Sequence, residues 1–301
     1  MQKNPLDQLR TRLAPTPSGY LHLGNAISFV ATWALARARQ GWILLRIDDL
    51  DATRRRPEYL EDIFETLEWL GLDYDDGPSG PDDFLQNYSQ QLRLPYYQKA
   101  LEALLQTGDV YGCTCSRKQI QAAGTDGHYP GTCRLLARDL HAPKTAWRVS
   151  VTGQTEVCFT EWRSGKYCLD PGREMGDFVI RQKNGAPAYQ IASLVDDRHW
   201  EINFVVRGED LRASTAAQMY LANRMEFTGF QQATFWHHGL ITDPAGRKLS
   251  KSEGAAAMKS WREENRSPLE VFSMAAQWLG VVEEIGSGPE LIDVLRVRNE
   301  E

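Results

Sequence analysis

The sequence predicts an α/β fold, a doubly wound parallel sheet with a smaller domain inserted in it and a short helical region at its C-terminal end. Three observations lead there. Strand and helix patterns alternate through the first 110 residues, the order that builds a parallel sheet wound with helices. From about Tyr111 to Gly185 the texture changes: cysteines cluster, Gly and Pro increase, and short β-like runs replace the alternation. After Tyr189 the wound pattern resumes. The predicted domains are therefore 1–110 and 187–242 as two halves of one wound domain, 111–186 as the insertion, and 243–301 as a loop and C-terminal helices.

The elements follow in order. Leu9 to Ala14 reads as a first strand, broken into a loop by Pro15, Pro17 and Gly19. Gly24 to Arg39 reads as a helix with Ile27, Val30, Trp33 and Ala34 on one face and Gly41 as its stop. Trp42 to Ile47 is a near-continuous apolar run, the pattern of a strand buried on both faces. Pro57 to Leu70 is an amphipathic helix: Pro opens it, Leu60, Ile63, Phe64, Leu67 and Leu70 form its apolar stripe, and Gly71 ends it. The acidic stretch Asp73 to Asp83, rich in Gly and Pro, reads as a surface loop. Ser89 to Gln106 is again helical in period, with Pro95 implying a break or kink. Within the insertion the β-like runs are Trp147 to Thr152, Glu156 to Trp162 and Phe178 to Arg181. Beyond it, Tyr189 to Val195 takes up the wound pattern, Phe204 to Val206 is a buried strand, and Ser214 to Arg224 is a helix. Thr234 to Leu240 leads into a loop, and Ser267-Pro268-Leu269-Glu270 opens the last clear helix, which ends at Gly280.

Composition narrows the class. With 301 residues, 42% hydrophobic and 25% charged, the chain has the make-up of a soluble globular protein. No apolar run reaches the length of about 18 residues that a membrane span needs. The first residues, Met1 to Pro15, lack the apolar core of a secretory signal. A cytoplasmic protein with no membrane partner is expected. The net charge of −6 does not suggest a general nucleic-acid binder, but a local basic face suffices to track phosphates. Arg54 to Arg56, Arg134 to Arg148 and Lys248 to Arg266 are candidates, each equally readable as a solvated surface. An odd count of five cysteines argues against a disulfide framework, and Cys158 and Cys168 are expected as free thiols.

Two segments carry phosphate chemistry. The first is Pro15-Thr16-Pro17-Ser18-Gly19-Tyr20-Leu21-His22-Leu23-Gly24-Asn25, where the first strand hands over to the first helix. A helix N-terminus presents unpaired N–H groups and partial positive charge, which favour phosphate. In a wound sheet this loop lies at the carboxyl ends of the strands, where ligands bind. His22 can donate to an ATP phosphate there, and Gly24 lets an adenine ring approach the backbone. The second segment is Lys248-Leu249-Ser250-Lys251-Ser252, flanked by Gly246 and Gly254. Two ammonium groups close in sequence can follow a pyrophosphate as charge builds on it. Taken singly, His22 reads as a surface histidine beside a cap and the lysines as an exposed basic loop.

The first segment resembles the HIGH motif and the second the KMSKS motif of class I aminoacyl-tRNA synthetases. The match narrows to the glutamyl branch. Arg12 to Gly19 resembles that branch's opening segment, and Arg46-Ile47-Asp48-Asp49-Leu50-Asp51 its R-I-E-D-x-D run. Tyr189-Gln190-Ile191-Ala192, Val195-Asp196-Asp197 and Val206-Arg207-Gly208-Glu209-Asp210-Leu211 follow in the family's order. The resemblance covers almost the whole chain and implies a Rossmann-type class I catalytic domain. It implies a glutamate site of Arg12, Ala14, Thr16, Asp48, Tyr189 and Arg207, with Arg12 and Arg207 on the side-chain carboxylate, Asp48 on the ammonium and Tyr189 lining the pocket. It implies an ATP site of Pro15, His22, Gly24, Asn25, Lys248, Ser250 and Lys251, with His22, Lys248 and Lys251 catalytic and magnesium accompanying ATP. Asp48 stands where the family has Glu, so a shorter arm must reach farther or act through water.

The sequence ends at Glu301, soon after the lysine segment, and the expectation is a chain without an anticodon-binding domain. In this it resembles the short form of the branch, the glutamyl-queuosine tRNA(Asp) synthetase family. That resemblance implies a monomer that activates glutamate with ATP without tRNA, then transfers it to queuosine in the anticodon of tRNA(Asp). Ordinary charging of a tRNA 3′ end and a non-catalytic RNA-binding role are the alternatives.

The insertion holds Cys113-Thr114-Cys115 and, beyond it, Cys133. Three thiolates make a soft, tetrahedral-type site one ligand short. From the residues alone His128 is the rival for the fourth place; the family pattern C-x-C…Y-x-x-x-C implies Tyr129, and with it one structural zinc.

Overall fold

The computed structural model describes residues 8–123, 129–151, 156–239 and 257–298. In chain order the first elements are β1 (Arg10–Leu13), α1 (Leu23–Ala38), β2 (Trp42–Leu45), α2 (Pro57–Leu70) and the single turn α3 (Pro81–Asp83). Next come α4 (Leu94–Leu105), β3 (Val110–Cys113), α5 (Arg117–Ala123), β4 (Ala146–Val149), β5 (Val157–Glu161) and β6 (Gly165–Leu169). They are followed by α6 (Pro171–Met175), β7 (Val179–Arg181), α7 (Tyr189–His199), β8 (Phe204–Gly208), α8 (Arg212–Arg224), α9 (Thr228–Gln231) and β9 (Thr234–His238). The last are α10 (Met258–Glu263), α11 (Leu269–Trp278) and α12 (Gly288–Arg298). Two compact units form: one from Met1–Leu92, Phe204–Arg207 and His238–Glu301, the other from Arg93–Asn203 and Gly208–His237.

The first unit is organised by a strand–helix–strand turn. β1 and β2 pair in parallel, Arg10 opposite Trp42 through Leu13 opposite Leu45, with α1 as the crossover. The pairing continues past the strands: Arg46 N–H donates to the Leu13 carbonyl at 2.9 Å and Asp48 N–H to the Pro15 carbonyl at 2.8 Å. α1 is buried nearly all round rather than on the single face its sequence suggested, because α11 and α12 cover it as well. Trp33 meets Phe272 edge to face at 6.1 Å. A Cβ at Gly288 would come within 3.0 Å of Phe272 and 3.2 Å of Trp33, a tight contact that glycine avoids where α12 approaches α1. α2 ends as expected, with Gly71 in the left-handed conformation (φ 66°). The carboxylate of Asp49, just after β2, is wholly buried and accepts from Ser89 Oγ, the Gln90 N–H and Arg55 at 2.7, 2.7 and 2.5 Å. These bonds fix the loop that carries Asp48.

In the second unit β3, β4 and β7 form an antiparallel sheet. β5 and β6 form an antiparallel hairpin, and β5 also pairs in parallel with β9. α4 and α7 are joined by a buried group: Arg93 grips both Asp196 oxygens at 2.9 Å, and the Tyr97 hydroxyl donates to the same carboxylate. The ion pair is buried on both sides, and its hydrogen bonds offset the cost of taking two charges from water.

The break expected at Pro95 is present: a 3-10 turn over Gln90–Arg93 gives way to α4 at Leu94, with the proline in the first turn, where it is tolerated. Several expectations are corrected. The helix ending near Gly280 is followed by another, α12. β3 and β6 were not foreseen; each is a short, partly exposed run without clear alternation. Cys158 and Cys168 are not free thiols but a disulfide. They face each other across the β5–β6 hairpin with Cα atoms 4.1 Å apart, and a count of cysteines cannot reveal such pairing.

Candidate active site

Arg12, Ala14, Pro15, Thr16, His22, Gly24, Asn25, Asp48 and Arg207 all belong to the first unit. The lysine segment with Lys248, Ser250 and Lys251 lies outside the described residues, as does His128. His22 is the N-cap of α1 in extended conformation. Its Nδ1 accepts from the Asn25 N–H at 3.3 Å, and the Asn25 side-chain oxygen accepts from the His22 N–H at 3.1 Å. This reciprocal capping box fixes the ring at the mouth of the helix, where the first-turn N–H groups collect. Gly24 sits in that first turn.

Arg12, on β1, is buried, and its Nη1 donates to the Val206 carbonyl at 3.2 Å. That bond ties β1 to the strand end carrying Arg207, which is also buried. Two guanidinium groups thus come from neighbouring backbone in one unit. Asp48 receives both arms of Arg46, from Nε at 2.7 Å and Nη2 at 3.0 Å. Arg46 is wholly buried, whereas 13% of the Asp48 side chain is exposed. The sequence reading took Arg46 only as part of a motif; its role as the partner of Asp48 needs the fold, although the spacing i, i+2 along a strand end permits it.

Immediately N-terminal to His22, Leu21 is held on both sides. Its N–H donates to Asp62 of α2 at 2.8 Å, and its carbonyl accepts from the Met258 N–H at 2.8 Å. A bridge also pairs His22 with Ala257. Nothing local marks Asp62, which reads as one more acid on an amphipathic helix.

In the second unit Tyr189 opens α7 and is partly exposed (37%). The insertion brings Cys113, Cys115 and Cys133 together, their sulfurs all within 4.8 Å of one another. The Tyr129 hydroxyl lies 3.5 Å from Cys113 Sγ and 3.9 Å from Cys115 Sγ, and it accepts from the Cys133 N–H at 2.7 Å. Burial opposes the Cys133 thiolate, but hydrogen bonds involving Tyr129, the Thr114 backbone, Cys115 and Arg138 outweigh it and bring the thiol down to about 6. Burial, then the Cys133 hydrogen bond, pushes the Cys115 thiol up. Three sulfurs and one oxygen converge on a common centre, a donor set that suits a soft divalent metal ion. These cysteines could hold a metal ion.

The model for class I tRNA synthetases (E and Q), catalytic domain, matches residues 8–287. The chain belongs to this family. A glutamyl-Q tRNA(Asp) synthetase of Symbiobacterium thermophilum is 37% identical over 289 residues, 91% of this chain and 87% of its own length. One from Pseudomonas paraeruginosa is 42% identical over 243 residues, 80% of this chain and 76% of that protein. A glutamate–tRNA ligase of Symbiobacterium thermophilum is 36% identical over 275 residues, but the match spans only 56% of that ligase. Among solved structures, the glutamate-tRNA synthetase of Elizabethkingia anophelis superposes with a TM-score of 0.78 at 26% identity, over 95% of this chain and 65% of that one. The fold of a class I (E and Q) synthetase catalytic domain, α/β and Rossmann-like, is therefore that of this chain, and its relatives are aminoacyl-tRNA synthetase-like ligases. Among the described residues no helix is long and apolar enough to cross a membrane.

Proposed function

We propose that the protein activates L-glutamate with ATP, without tRNA, and transfers it to queuosine in the anticodon of tRNA(Asp). One observation carries the reading. Relatives named glutamyl-Q tRNA(Asp) synthetase reach 42% identity to this chain, whereas those named glutamate–tRNA ligase match at 35–36%.

In the first step the glutamate α-carboxylate attacks the ATP α-phosphorus, and pyrophosphate leaves. His22 at the α1 N-terminus donates to phosphate, with Pro15, Gly24 and Asn25 beside it and Lys248, Ser250 and Lys251 on the leaving group. Arg12 and Arg207 take the side-chain carboxylate, and Asp48 takes the ammonium. Ala14, Thr16 and Tyr189 line the pocket by resemblance. In the second step a hydroxyl of queuosine attacks the activated carbonyl and AMP leaves. Magnesium accompanies ATP. Cys113, Cys115, Tyr129 and Cys133 would hold one zinc ion, which supplies structure rather than chemistry by tying the insertion together. We take 111–186 as the insertion dividing the catalytic halves 1–110 and 187–242 in sequence, with 243–301 following, and read the protein as a cytoplasmic monomer.

The test is transfer of labelled glutamate to three purified RNAs: tRNA(Asp) containing queuosine, the same tRNA lacking it, and tRNA(Glu). Label on the first alone is expected. Label on tRNA(Glu) would make the protein a charging enzyme, and label on none would make it a non-catalytic paralogue.

A further inference from the structure

We infer that Asp62 is a positioning residue for the ATP end of the site, holding the approach to His22 against the chain that returns from the lysine segment. The side chain is 1% exposed, although it sits on α2, whose neighbouring acids Glu58, Glu61 and Glu65 face solvent. A carboxylate is not buried at this depth without compensation. Each oxygen has one distinct partner. Oδ2 accepts from the Leu21 N–H at 2.8 Å, and Oδ1 accepts from Arg262 Nη2 at 2.8 Å. Leu21 precedes the capping histidine, and Arg262 belongs to α10, which opens at Met258.

The return path closes the circuit. The Met258 N–H donates to the Leu21 carbonyl, and Ala257 bridges to His22. Arg262 also donates to Thr66 at 2.5 Å and Glu65 at 2.7 Å, so three side chains of α2 fix one guanidinium of α10. Tyr20 packs edge to face on Tyr59 of α2 at 5.0 Å, and Lys259 of α10 lies 5.0 Å above the same Tyr20 ring. The peptide leading into His22 is thus gripped from both helices, with one buried carboxylate joining the two grips. A shift of this peptide would move the histidine and the α1 N-terminus together, and a displacement of an ångström at reacting groups costs rate steeply.

The inference rests on His22 facing the nucleotide. Asp62→Asn keeps the shape but can accept at one position only, and its amide group then opposes either the Leu21 N–H or Arg262. ATP binding is measured by calorimetric titration with magnesium and ATP alone, and pyrophosphate exchange is measured with glutamate. Asp62→Asn is expected to weaken ATP binding about tenfold and to lower kcat of exchange by at least as much, with KM for glutamate unchanged. Arg262→Met is expected to do the same, and Arg262→Lys to restore most of the loss. Glu65→Gln, removing an exposed partner of the same guanidinium, is expected to stay within about twofold. Wild-type ATP affinity and kcat per folded molecule in Asp62→Asn, even with a lowered Tm, would reduce Asp62 to a structural role and overturn the inference. A rise in KM for glutamate with ATP binding intact would overturn it too. Absence of glutamate-dependent exchange in the wild type would instead sink the proposed activity, while the titration would still decide the role of Asp62.

Discussion

Asp48 and Arg46 lie two residues apart at the end of β2, and the guanidinium closes on the carboxylate with both a 2.7 Å and a 3.0 Å bond. The arginine is the buried partner and the aspartate the one that still reaches solvent. The two bonds fix the orientation of the carboxylate.

Asp48→Asn should therefore show two separable effects. Loss of the charge leaves a buried guanidinium poorly matched, at a cost of about 2–3 kcal/mol read from denaturant midpoints. On the proposed role of Asp48, KM for glutamate should rise about tenfold or more as the substrate ammonium loses its anion. A stability loss with unchanged KM would confine Asp48 to the ion pair.

Removing a thiolate tests the insertion. The Cys115→Ser protein is expected to lack the one zinc proposed for this cluster, measured by metal analysis after dialysis, and to lose several kcal/mol of stability, on the order of what structural sites supply. Full zinc content in that variant would remove Cys115 from the donor set.

Glu161 gives a pH signature. Burial favours its protonated form, but the imidazole of His237 at 2.6 Å and the His237 N–H at 2.8 Å outweigh burial and hold the carboxyl below its usual range. The folded value therefore lies under the unfolded value of about 4.3. The stabilisation is complete above the unfolded value and is lost as pH falls through the folded one. At pH 7, Glu161→Gln should cost about 1–3 kcal/mol, and the gap to wild type should narrow on acidification below about pH 4.5. A gap of constant size across that range would refute the assignment.

In the lysine segment, Lys251→Ala should lower pyrophosphate exchange by about 10²–10³-fold while zinc content and Tm stay unchanged. Near-normal exchange would take that lysine out of the mechanism.

What the sequence made legible was whatever is encoded locally. The first βαβ turn, the α2 boundaries with Pro57 and Gly71, and the histidine at a strand-to-helix turn all follow from patterns within a few residues. The cysteine cluster was legible because a soft donor set betrays itself by composition. Asp62 was not, because its partners Leu21 and Arg262 are distant in the chain and nothing in an acidic helix face marks one acid for burial. Asp49 belongs to the Arg46–Asp51 run, yet its task of fastening Ser89 and Gln90 emerges only on folding. The hairpin disulfide was misjudged because β6 was not recognised, and without β6 nothing sets Cys168 opposite Cys158.

The glycine at 288 gives the C-terminal helices a bearing on distant chemistry. α12 lies so close to Trp33 and Phe272 that those rings would have to give by a few tenths of an ångström to admit a methyl group. Trp33 belongs to the rod whose leading tip is His22. A ligand that prised α12 away, or a Gly288→Val change, would tilt that rod from its far flank. The nucleotide end would register the disturbance without any residue there being altered.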